Sequence, residues 1–336
     1  MKLPIKIHTV YFLILGVLLS CKQPVKKSDM LIIAHRGASG YLPEHTLPAK
    51  ALAYGMLPDF IEQDVVLSKD NVPVIIHDIH LETTTNVAEV YADRVREDGK
   101  FYVIDFTWAE LQTLNVSERF NTKTKQAIYK DRFPIHKSHF KLHTLADEIE
   151  LIQGLNKSMR KDIGVYVEIK EPQFHRNEGK DISKIVLTTL SNYGYSTLKD
   201  NCILQCFDAV ELQKIRKKYN SNLFLVQLFD SEYYEGIHQQ MSLEAIVNNI
   251  AKYANGIGPS YRELINKKIK ISGFENLVDY AHQQNLKVHA FTFRADALGG
   301  KSTFNEVFKI AEDLNLDGIF TDHPDQAISY FKKKNH

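Results

Sequence analysis

Two histidines in the first quarter of the chain each follow a short apolar run, a position from which an imidazole could act as an acid or a base. His35 follows Leu31–Ala34, and His77 follows Val72–Ile76. Short apolar runs of this kind predict buried strands. Because imidazole titrates near neutral pH, a pair of histidines at two strand ends indicates a reaction in which protons are transferred.

Three carboxylates accompany the histidines and could hold a metal ion. Glu62 and Asp64 lie two residues apart in an apolar stretch, so both side chains point to one face of a predicted strand. Glu168 lies in a later predicted strand, Gly164–Lys170. Carboxylates are rarely buried unless they are paired or bind a cation, and oxygen ligands without cysteine suit Mg²⁺ or Ca²⁺. We therefore predict a divalent metal site, while an ion pair with Lys170 is the alternative role of Glu168.

The elements that carry these residues alternate between predicted strands and helices. From Leu31 onward we count eight principal strands, with Val72–Ile76 as an extra strand beside the second. This pattern predicts an α/β fold, a (β/α)₈ TIM barrel over residues 31–336, whose active site should lie at the carboxyl ends of the strands. The stretch from about 79 to 143 interrupts the alternation and is rich in aromatic side chains, which favours a small inserted subdomain after the second strand region.

Sequence motifs throughout the chain resemble those of the glycerophosphodiester phosphodiesterase family, in particular the branch of periplasmic enzymes that includes surface lipoproteins. The matching runs include HRGASGYLPEHT from His35, IEQD ending at Asp64, IIHD ending at Asp78 and GIFTDHPD from Gly318. The resemblance covers nearly all of the chain after the first 30 residues. It implies a metal-dependent hydrolase that releases sn-glycerol 3-phosphate and an alcohol, with the three carboxylates named above as metal ligands.

The resemblance also implies roles for the charged residues beside the histidines. Arg36 would clamp the phosphate of the substrate, and Lys170 would stabilise negative charge that develops on it. His35 and His77 would be the general acid and base, in an order that the sequence leaves open. The nucleophile is either water or the glycerol hydroxyl of the substrate, which would first form a cyclic phosphate. The resemblance favours the hydroxyl.

Candidates with weaker support follow later predicted strands. Gln205 and Phe207 match a QxF pattern that lines the pocket in the family, although packing at a strand end explains them equally well. Phe291, Thr292 and Arg294 follow the seventh strand. These three residues either contact the substrate or belong to the surface, and the sequence favours neither role.

Structural roles are the simpler expectation for four further residues. Asp322 follows the eighth strand and should cap the final helix. His45 lies at the entry of a helix, where a structural role is more common than a chemical one. His80 and His289 should belong to the core or to the rim of the barrel. We therefore leave all four outside the predicted site.

The first 30 residues differ in character from the rest of the chain and predict export. Lysines precede the apolar run Val10–Leu19, which is too short to span a bilayer and has the layout of a secretory signal. Leu18–Cys21 resembles a lipobox, so we expect a lipoprotein signal peptide over residues 1–20, lipidation of Cys21 and a tether over residues 21–30. The protein would then be anchored to the membrane of the bacterial cell envelope, on its periplasmic or outer side. Calcium available there makes Ca²⁺ our first choice of metal, with Mg²⁺ second.

Composition and spacing restrict the partners of the protein. A formal net charge of +1 over 336 residues argues against nucleic-acid binding. Cys202 and Cys206 lie in one predicted strand, too far apart for a disulfide.

Three alternatives to a small diester stay open: a teichoic-acid-like polymer, a lysophospholipid, and a surface lipoprotein that binds a partner on the same fold. The loop 230–242 is shorter than in some relatives, which leaves the preferred alcohol undecided. Nothing in the sequence indicates the oligomeric state.

Overall fold

The structure is a computed structural model that describes residues 30–230, 241–265 and 277–332. Four predicted features lie outside the described residues: the signal peptide, the lipidation site Cys21, the tether up to residue 29 and most of the loop 230–242. Within the described residues, no helix is both long enough and apolar enough to cross a membrane.

The described part of the chain contains nine strands: β1 (Leu31–Ala34), β2 (Phe60–Leu67), β3 (Pro73–Ile75), β4 (Gly164–Ile169), β5 (Cys202–Cys206), β6 (Phe224–Phe229), β7 (Gly256–Pro259), β8 (Lys287–Phe293) and β9 (Gly318–Thr321). All except β3 are parallel, and β1 closes the ring by pairing with both β9 and β2. β3 pairs antiparallel with β2, as expected for the extra strand. The predicted (β/α)₈ barrel is confirmed.

Helices follow the strands in the predicted alternation and cover the outside of the barrel. Several begin at a threonine whose hydroxyl accepts a hydrogen bond from the first turn, such as Thr46, or Thr144 in a reciprocal pair with Asp147. These caps determine where the capped helices start. The barrel helices in the described ranges are Leu47–Met56, Leu145–Met159, Pro172–Asn177, Ile182–Asn192, Ala209–Lys217, Leu243–Ile250, Tyr261–Leu264, Leu277–Gln283, Phe304–Asp313 and Pro324–Phe331.

The barrel strands are buried on both faces, which explains their unbroken apolar runs. All eight residues of β2 are buried, including Glu62 and Asp64. Cys202 and Cys206, at the two ends of β5, are buried free thiols. One apolar cluster fills the interior of the barrel: Ile33, Phe60, Tyr166, Ile203, Val226 and Phe320.

Residues 79–143, which we call the inserted segment, form a folded cap beside the barrel. The segment contributes most of an apolar cluster whose other members, such as Val66 and Val74, come from β2 and β3. Thr107 and Glu110 form a capping box at one of its helices. Its helical turns are Val87–Val90, Ala92–Arg94, Val103–Asp105 and Trp108–Leu111. The apolar cluster explains why a stretch without strand–helix alternation still packs against the barrel.

Candidate active site

The barrel interior is built in layers, and the layer at the carboxyl ends of the strands carries polar residues. Every second side chain of a strand points into the barrel. In β2, apolar Phe60 is followed two positions later by Glu62, and the same step leads from Ile33 in β1 to His35. The apolar layer therefore supports a polar layer directly above it.

The polar layer surrounds a cavity of about 190 Å³. Every residue predicted from the sequence to act in catalysis, phosphate binding or metal binding lines this cavity, as do the three weaker candidates at the end of β8. The lining residues are His35, Arg36, Glu62, Asp64, His77, Glu168, Lys170, Gln205, Phe207, Leu228, Phe291, Thr292, Arg294 and Phe320. The structure thus brings together residues that lie far apart in the sequence.

The turn after β1 holds Arg36 against the carboxylates. Arg36 and Gly37 both have positive φ, +57° and +90°. A Cβ atom on Gly37 would lie 2.9 Å from the carbonyl carbon of Ala49, so only glycine fits there. This turn points the backbone N–H of Arg36 at Oε2 of Glu62, 2.6 Å away, while the guanidinium donates to Oε1 of Glu44 at 2.9 Å. The glycine of the HRG run is therefore needed to place the arginine.

His35 has a carboxylate partner that sequence reasoning did not predict. Its Nδ1 lies 2.6 Å from Oδ1 of Asp322, because the pairing of β1 with β9 sets these two residues side by side at the rim. The expectation that Asp322 caps the final helix is wrong, since His323 occupies the cap position and caps helix Pro324–Phe331 with no side-chain hydrogen bond. With Nδ1 engaged by a carboxylate, Nε2 is the nitrogen of His35 left for chemistry.

His77 reaches the same cavity by a different route. β2 continues to Leu67, and the antiparallel β3 brings the chain back, so that the Ile76 N–H donates to the Asp64 carbonyl at 3.1 Å. His77, the next residue, therefore lies near Asp64 at the carboxyl end of the barrel. Its Nδ1 lies 2.5 Å from Oδ1 of Asp78. Both histidines therefore have an aspartate on Nδ1, and Nε2 is the nitrogen that no carboxylate engages.

Two of the three predicted metal ligands form a tight cluster with a histidine. Ligand atoms of Glu62, Asp64 and His45 lie within 4.8 Å of one another. His45 Nε2 is 2.7 Å from Oδ2 of Asp64, so this histidine, expected to be structural, lies beside the site. Oδ1 of Asp64 is buried without a hydrogen-bond partner among the described residues, and an orphaned carboxylate oxygen suits a hard cation. The cluster therefore fits a divalent metal ion.

Glu168, the third predicted ligand, is paired with Lys170. The Lys170 Nζ lies 2.6 Å from Oε1 of Glu168 and 3.8 Å from Oδ1 of Asp64. The ion pair considered as the alternative role of Glu168 is therefore present. The same ammonium lies 3.4 Å from Nε2 of His77, so it connects the carboxylates with one of the histidines.

Burial and crowding shift the pKa values in the cavity. Burial, reinforced by the charge of Asp64, raises the pKa of Glu168 to about 7 and that of Glu62 well above its ordinary range. Burial also opposes ionisation of Asp64, but nearby positive charge, chiefly that of Lys170, holds its pKa well below the usual range. For both His35 and His77, burial and the charge of Arg36 lower the pKa to about 4.

Three charged residues that complete the site were missed in the sequence. Glu44 accepts a hydrogen bond from Arg119 at 2.6 Å, and Arg119 also donates to Asp78 at 2.6 Å. Arg132 donates to Asp322 at 2.6 Å. Both arginines lie in the inserted segment, where no periodicity marks a functional position. Glu44 lies within the HRGASGYLPEHT run, which was the one available signal.

The remaining candidates divide between the cavity and the core. Gln205 and Phe207 face the cavity, and Oε1 of Gln205 is buried with no partner in the part of the chain described. The ammonium of Lys170 lies 5.8 Å from the ring centroid of Phe207. His80 packs against an aromatic ring outside the cavity, and His289 bonds a buried tyrosine hydroxyl at 3.1 Å. Neither lines the cavity, which agrees with their expected structural roles.

Comparison with known proteins identifies the family. The family described as glycerophosphoryl diester phosphodiesterase matches residues 35–326 of the chain. Over 332 residues the chain is 42% identical to a glycerophosphodiester phosphodiesterase of Haemophilus influenzae, covering 91% of each protein. The chain belongs to this family. The family predicted from the sequence motifs, and with it the class of enzyme, is thereby confirmed.

Solved structures of other proteins share the fold of this chain, although their sequence identity to it is low. A crystal structure of a protein from Silicibacter pomeroyi has a TM-score of 0.69 at 21% identity and covers 91% of this chain and 94% of its own. A phosphodiesterase of Oleispira antarctica was solved in complex with the product sn-glycerol-3-phosphate. Its TM-score is 0.59 at 20% identity, and the match covers 90% of this chain and 97% of the Oleispira antarctica chain. At these identities the likeness supports the fold alone.

Proposed function

We propose that this protein hydrolyses glycerophosphodiesters to sn-glycerol 3-phosphate and an alcohol, using a divalent metal ion and two histidines. The observation that carries the proposal is the convergence of His35 and His77 on a cavity that also contains Arg36, Lys170 and a cluster of buried carboxylates. Membership of the family supports the same substrate class.

Glu62, Asp64 and Glu168 would hold the metal ion, with His45 beside them. Their oxygens are hard ligands, and burying three carboxylates together is costly without a cation to offset the repulsion. When bound, a divalent ion would neutralise negative charge on the phosphoryl oxygens. Ca²⁺ is the ion that we expect for an exported enzyme, and Mg²⁺ is the second choice.

The two imidazoles would transfer the protons. Because their pKa values are about 4, both are neutral near pH 7 in the free protein, and one can accept the proton of the attacking hydroxyl through Nε2. A phosphodiester anion bound between them favours the protonated form of the other imidazole, which would then protonate the leaving oxygen. Arg36 and Lys170 would hold the phosphate oxygens during both transfers. The attacking hydroxyl belongs to the substrate glycerol or to water.

The size of the cavity supports a small diester over a polymer. A cavity of about 190 Å³ suits a small diester, whose alcohol group would lie at the opening. The inserted segment reaches the aspartate partners of both histidines through Arg119 and Arg132. We expect faster hydrolysis of glycerophosphocholine than of a teichoic-acid-like polymer or a lysophospholipid, and the reverse order of rates would favour those alternatives.

The deciding assay measures release of glycerol 3-phosphate from glycerophosphocholine by the purified protein in EDTA, Ca²⁺ or Mg²⁺. Release should require metal and disappear in His35→Ala and in His77→Ala. His282→Ala is the matched control, because Nε2 of His282 pairs with Asp317 at 2.8 Å in a similar contact outside the cavity. Release without metal, or a His35→Ala enzyme as active as the control, would contradict the proposal.

We further propose that the protein is exported and held at the cell envelope by a lipid on Cys21. The proposal is supported by the lysines, the short apolar run and the lipobox-like Leu18–Cys21 at the start of the chain. Cells labelled with radioactive palmitate should incorporate the label into the wild-type protein and not into Cys21→Ala. Equal labelling of both proteins would exclude this anchor.

A further inference from the structure

Two arginines of the inserted segment each reach a carboxylate that holds a catalytic histidine. The two carboxylate oxygens of Asp78 have different partners. Oδ1 lies 2.5 Å from His77 Nδ1, and Oδ2 accepts a hydrogen bond from Arg119 at 2.6 Å. Asp322 is arranged in the same way between His35 and an arginine. Its Oδ1 is 2.6 Å from His35 Nδ1, and its Oδ2 accepts from Arg132 at 2.6 Å.

We propose that Arg119 and Arg132 are positioning residues, each of which fixes the orientation of one aspartate and, through it, the plane and tautomer of one histidine. The consequence for rate rests on the proposed function, whereas the consequence for the histidines can be measured without turnover. An aspartate bonded to an imidazole alone can rotate about its terminal torsion, which is a soft, two-fold torsion. A second, charge-assisted hydrogen bond from a guanidinium removes that freedom.

Arg119 connects the histidine with the phosphate clamp. Besides Asp78, it donates to both oxygens of Glu44, at 2.6 Å from Nη2 and 3.1 Å from Nε. Glu44 in turn accepts from Arg36. Because one planar guanidinium contacts both carboxylates, it fixes the position of His77 relative to Arg36, a geometry that the single point charge of a lysine cannot reproduce.

Arg132 is itself held by loops of the barrel, which makes it a rigid support. Its Nε donates to Asp296 at 2.6 Å and its Nη1 donates to the carbonyl of Ser39 at 3.1 Å. The ring of Tyr129 lies 3.8 Å from the guanidinium carbon. Asp322 also pairs with Arg294 at 3.0 Å, so we expect the loss of Arg132 to be the milder of the two losses.

Other arginines of the inserted segment form ion pairs that touch neither histidine. Arg96 donates to both oxygens of Asp105 at 2.7 Å, and Arg94 pairs with Glu110 at 3.0 Å. If the segment needed arginines only to hold its own fold, pairs of this kind would suffice. Arg96 also leaves the segment, because its Nη1 donates to Glu178 at 2.9 Å, but that carboxylate holds neither histidine. Arg119 and Arg132 instead end on the two histidine-bound aspartates, which is the pattern expected of positioning.

The kinetic test compares Arg119→Ala and Arg132→Ala with Arg96→Ala. We expect kcat to fall about 10- to 100-fold in the first, by about tenfold in the second and not in the control, with KM changed by less than about threefold. Arg119→Lys should restore little of the rate. In an Asp78→Asn background, Arg119→Ala should add less than a threefold loss, because its target is already altered. Additive losses, or equal losses in the control, would overturn the inference.

The second test observes the imidazoles directly, by NMR of the full-length protein with ¹⁵N-labelled histidine. The Nδ1–H signals of His35 and His77 are assigned with His35→Gln and His77→Gln, and thermal melts establish that each variant is folded. Arg119→Ala should shift or broaden the His77 signal alone, and Arg132→Ala the His35 signal alone. Unchanged signals in an active enzyme would refute positioning and leave the proposed function intact. Selective changes in a protein without phosphodiesterase activity would support positioning and refute the proposed function.

Discussion

Lys50 provides the sharpest test of how the site is supported from below. It is fully buried in helix Leu47–Met56, its Nζ lies 2.9 Å from Oε1 of Glu148, and it donates to the backbone carbonyl of Glu62. The other carboxylate oxygen of Glu148 lies 2.7 Å from Nε2 of His143. Burial opposes ionisation of Glu148, but the charge of Lys50 and the hydrogen bond with His143 lower its pKa below the ordinary value, so the carboxylate is charged.

Replacing Lys50 by methionine keeps the aliphatic stem and removes only the ammonium, so little cavity forms. Glu148 is then a fully buried carboxylate that has lost its ammonium partner, and breaking a buried ion pair from one side costs about 3–5 kcal/mol. That is a large share of the roughly 5–15 kcal/mol by which a protein of this kind is stable. Removing both charges, in Lys50→Met with Glu148→Gln, should recover most of the loss.

Urea unfolding followed by far-UV circular dichroism measures these differences. The single variant should unfold at much lower urea, the double variant should lie between it and the wild type, and both should keep the wild-type m-value. Lys309→Met is the matched control, because Lys309 pairs with Asp313 on the exposed surface and its loss should leave the midpoint unchanged. A loss below about 1 kcal/mol in Lys50→Met, or a double variant no better than the single, would refute the reasoning.

Three further predictions follow from the same structure. Glu62→Gln should raise the Ca²⁺ concentration for half-maximal activity by at least about tenfold, with folding unchanged, whereas an unchanged metal requirement would exclude Glu62 as a ligand. Burial lowers the pKa of His289 to about 4. Between pH 6.5 and 4 the unfolded chain therefore binds a proton that the folded protein does not, and the free energy of unfolding decreases as the pH is lowered. His289→Asn should therefore lose about 2 kcal/mol less than the wild type between pH 7.5 and 5 in urea titrations, and equal losses would contradict the assignment. Gly37→Ala should destabilise the protein by about 1–3 kcal/mol and lower activity, because its φ of +90° and the 2.9 Å contact leave no room for a Cβ; wild-type stability would show that the turn is not strained.

Much of the site could be predicted because a barrel converts sequence order into position. Alternation of strands and helices is a local pattern, and the carboxyl ends of parallel barrel strands meet on one face. Side chains that end different strands, such as His35 in the first and Glu168 in the third barrel strand, must therefore converge. Period-two spacing was enough to give Glu62 and Asp64 a common direction.

Residues whose partners depend on closure of the ring could not be predicted in this way. Asp322 and His35 are 287 positions apart, and they meet only because β9 pairs with β1. Locally, an aspartate just before a helix indicates a cap, so the pattern around Asp322 favoured the wrong role. His45 was judged in the same local terms, and its contact with Asp64 arises from the position of its helix against β2.

The barrel, the family and most of the residues that line the cavity could be predicted from the sequence, because each of these follows from local periodicity or from contiguous motifs. Which groups hold those residues in place depends on how distant segments pack together in the folded protein. Arg119 and Arg132 lie in an irregular segment whose position is determined by its own apolar cluster packed on β2 and β3. Their contacts with Asp78 and Asp322 depend on that packing and on ring closure, which are properties of the whole fold and leave no trace in the spacing of residues along the chain.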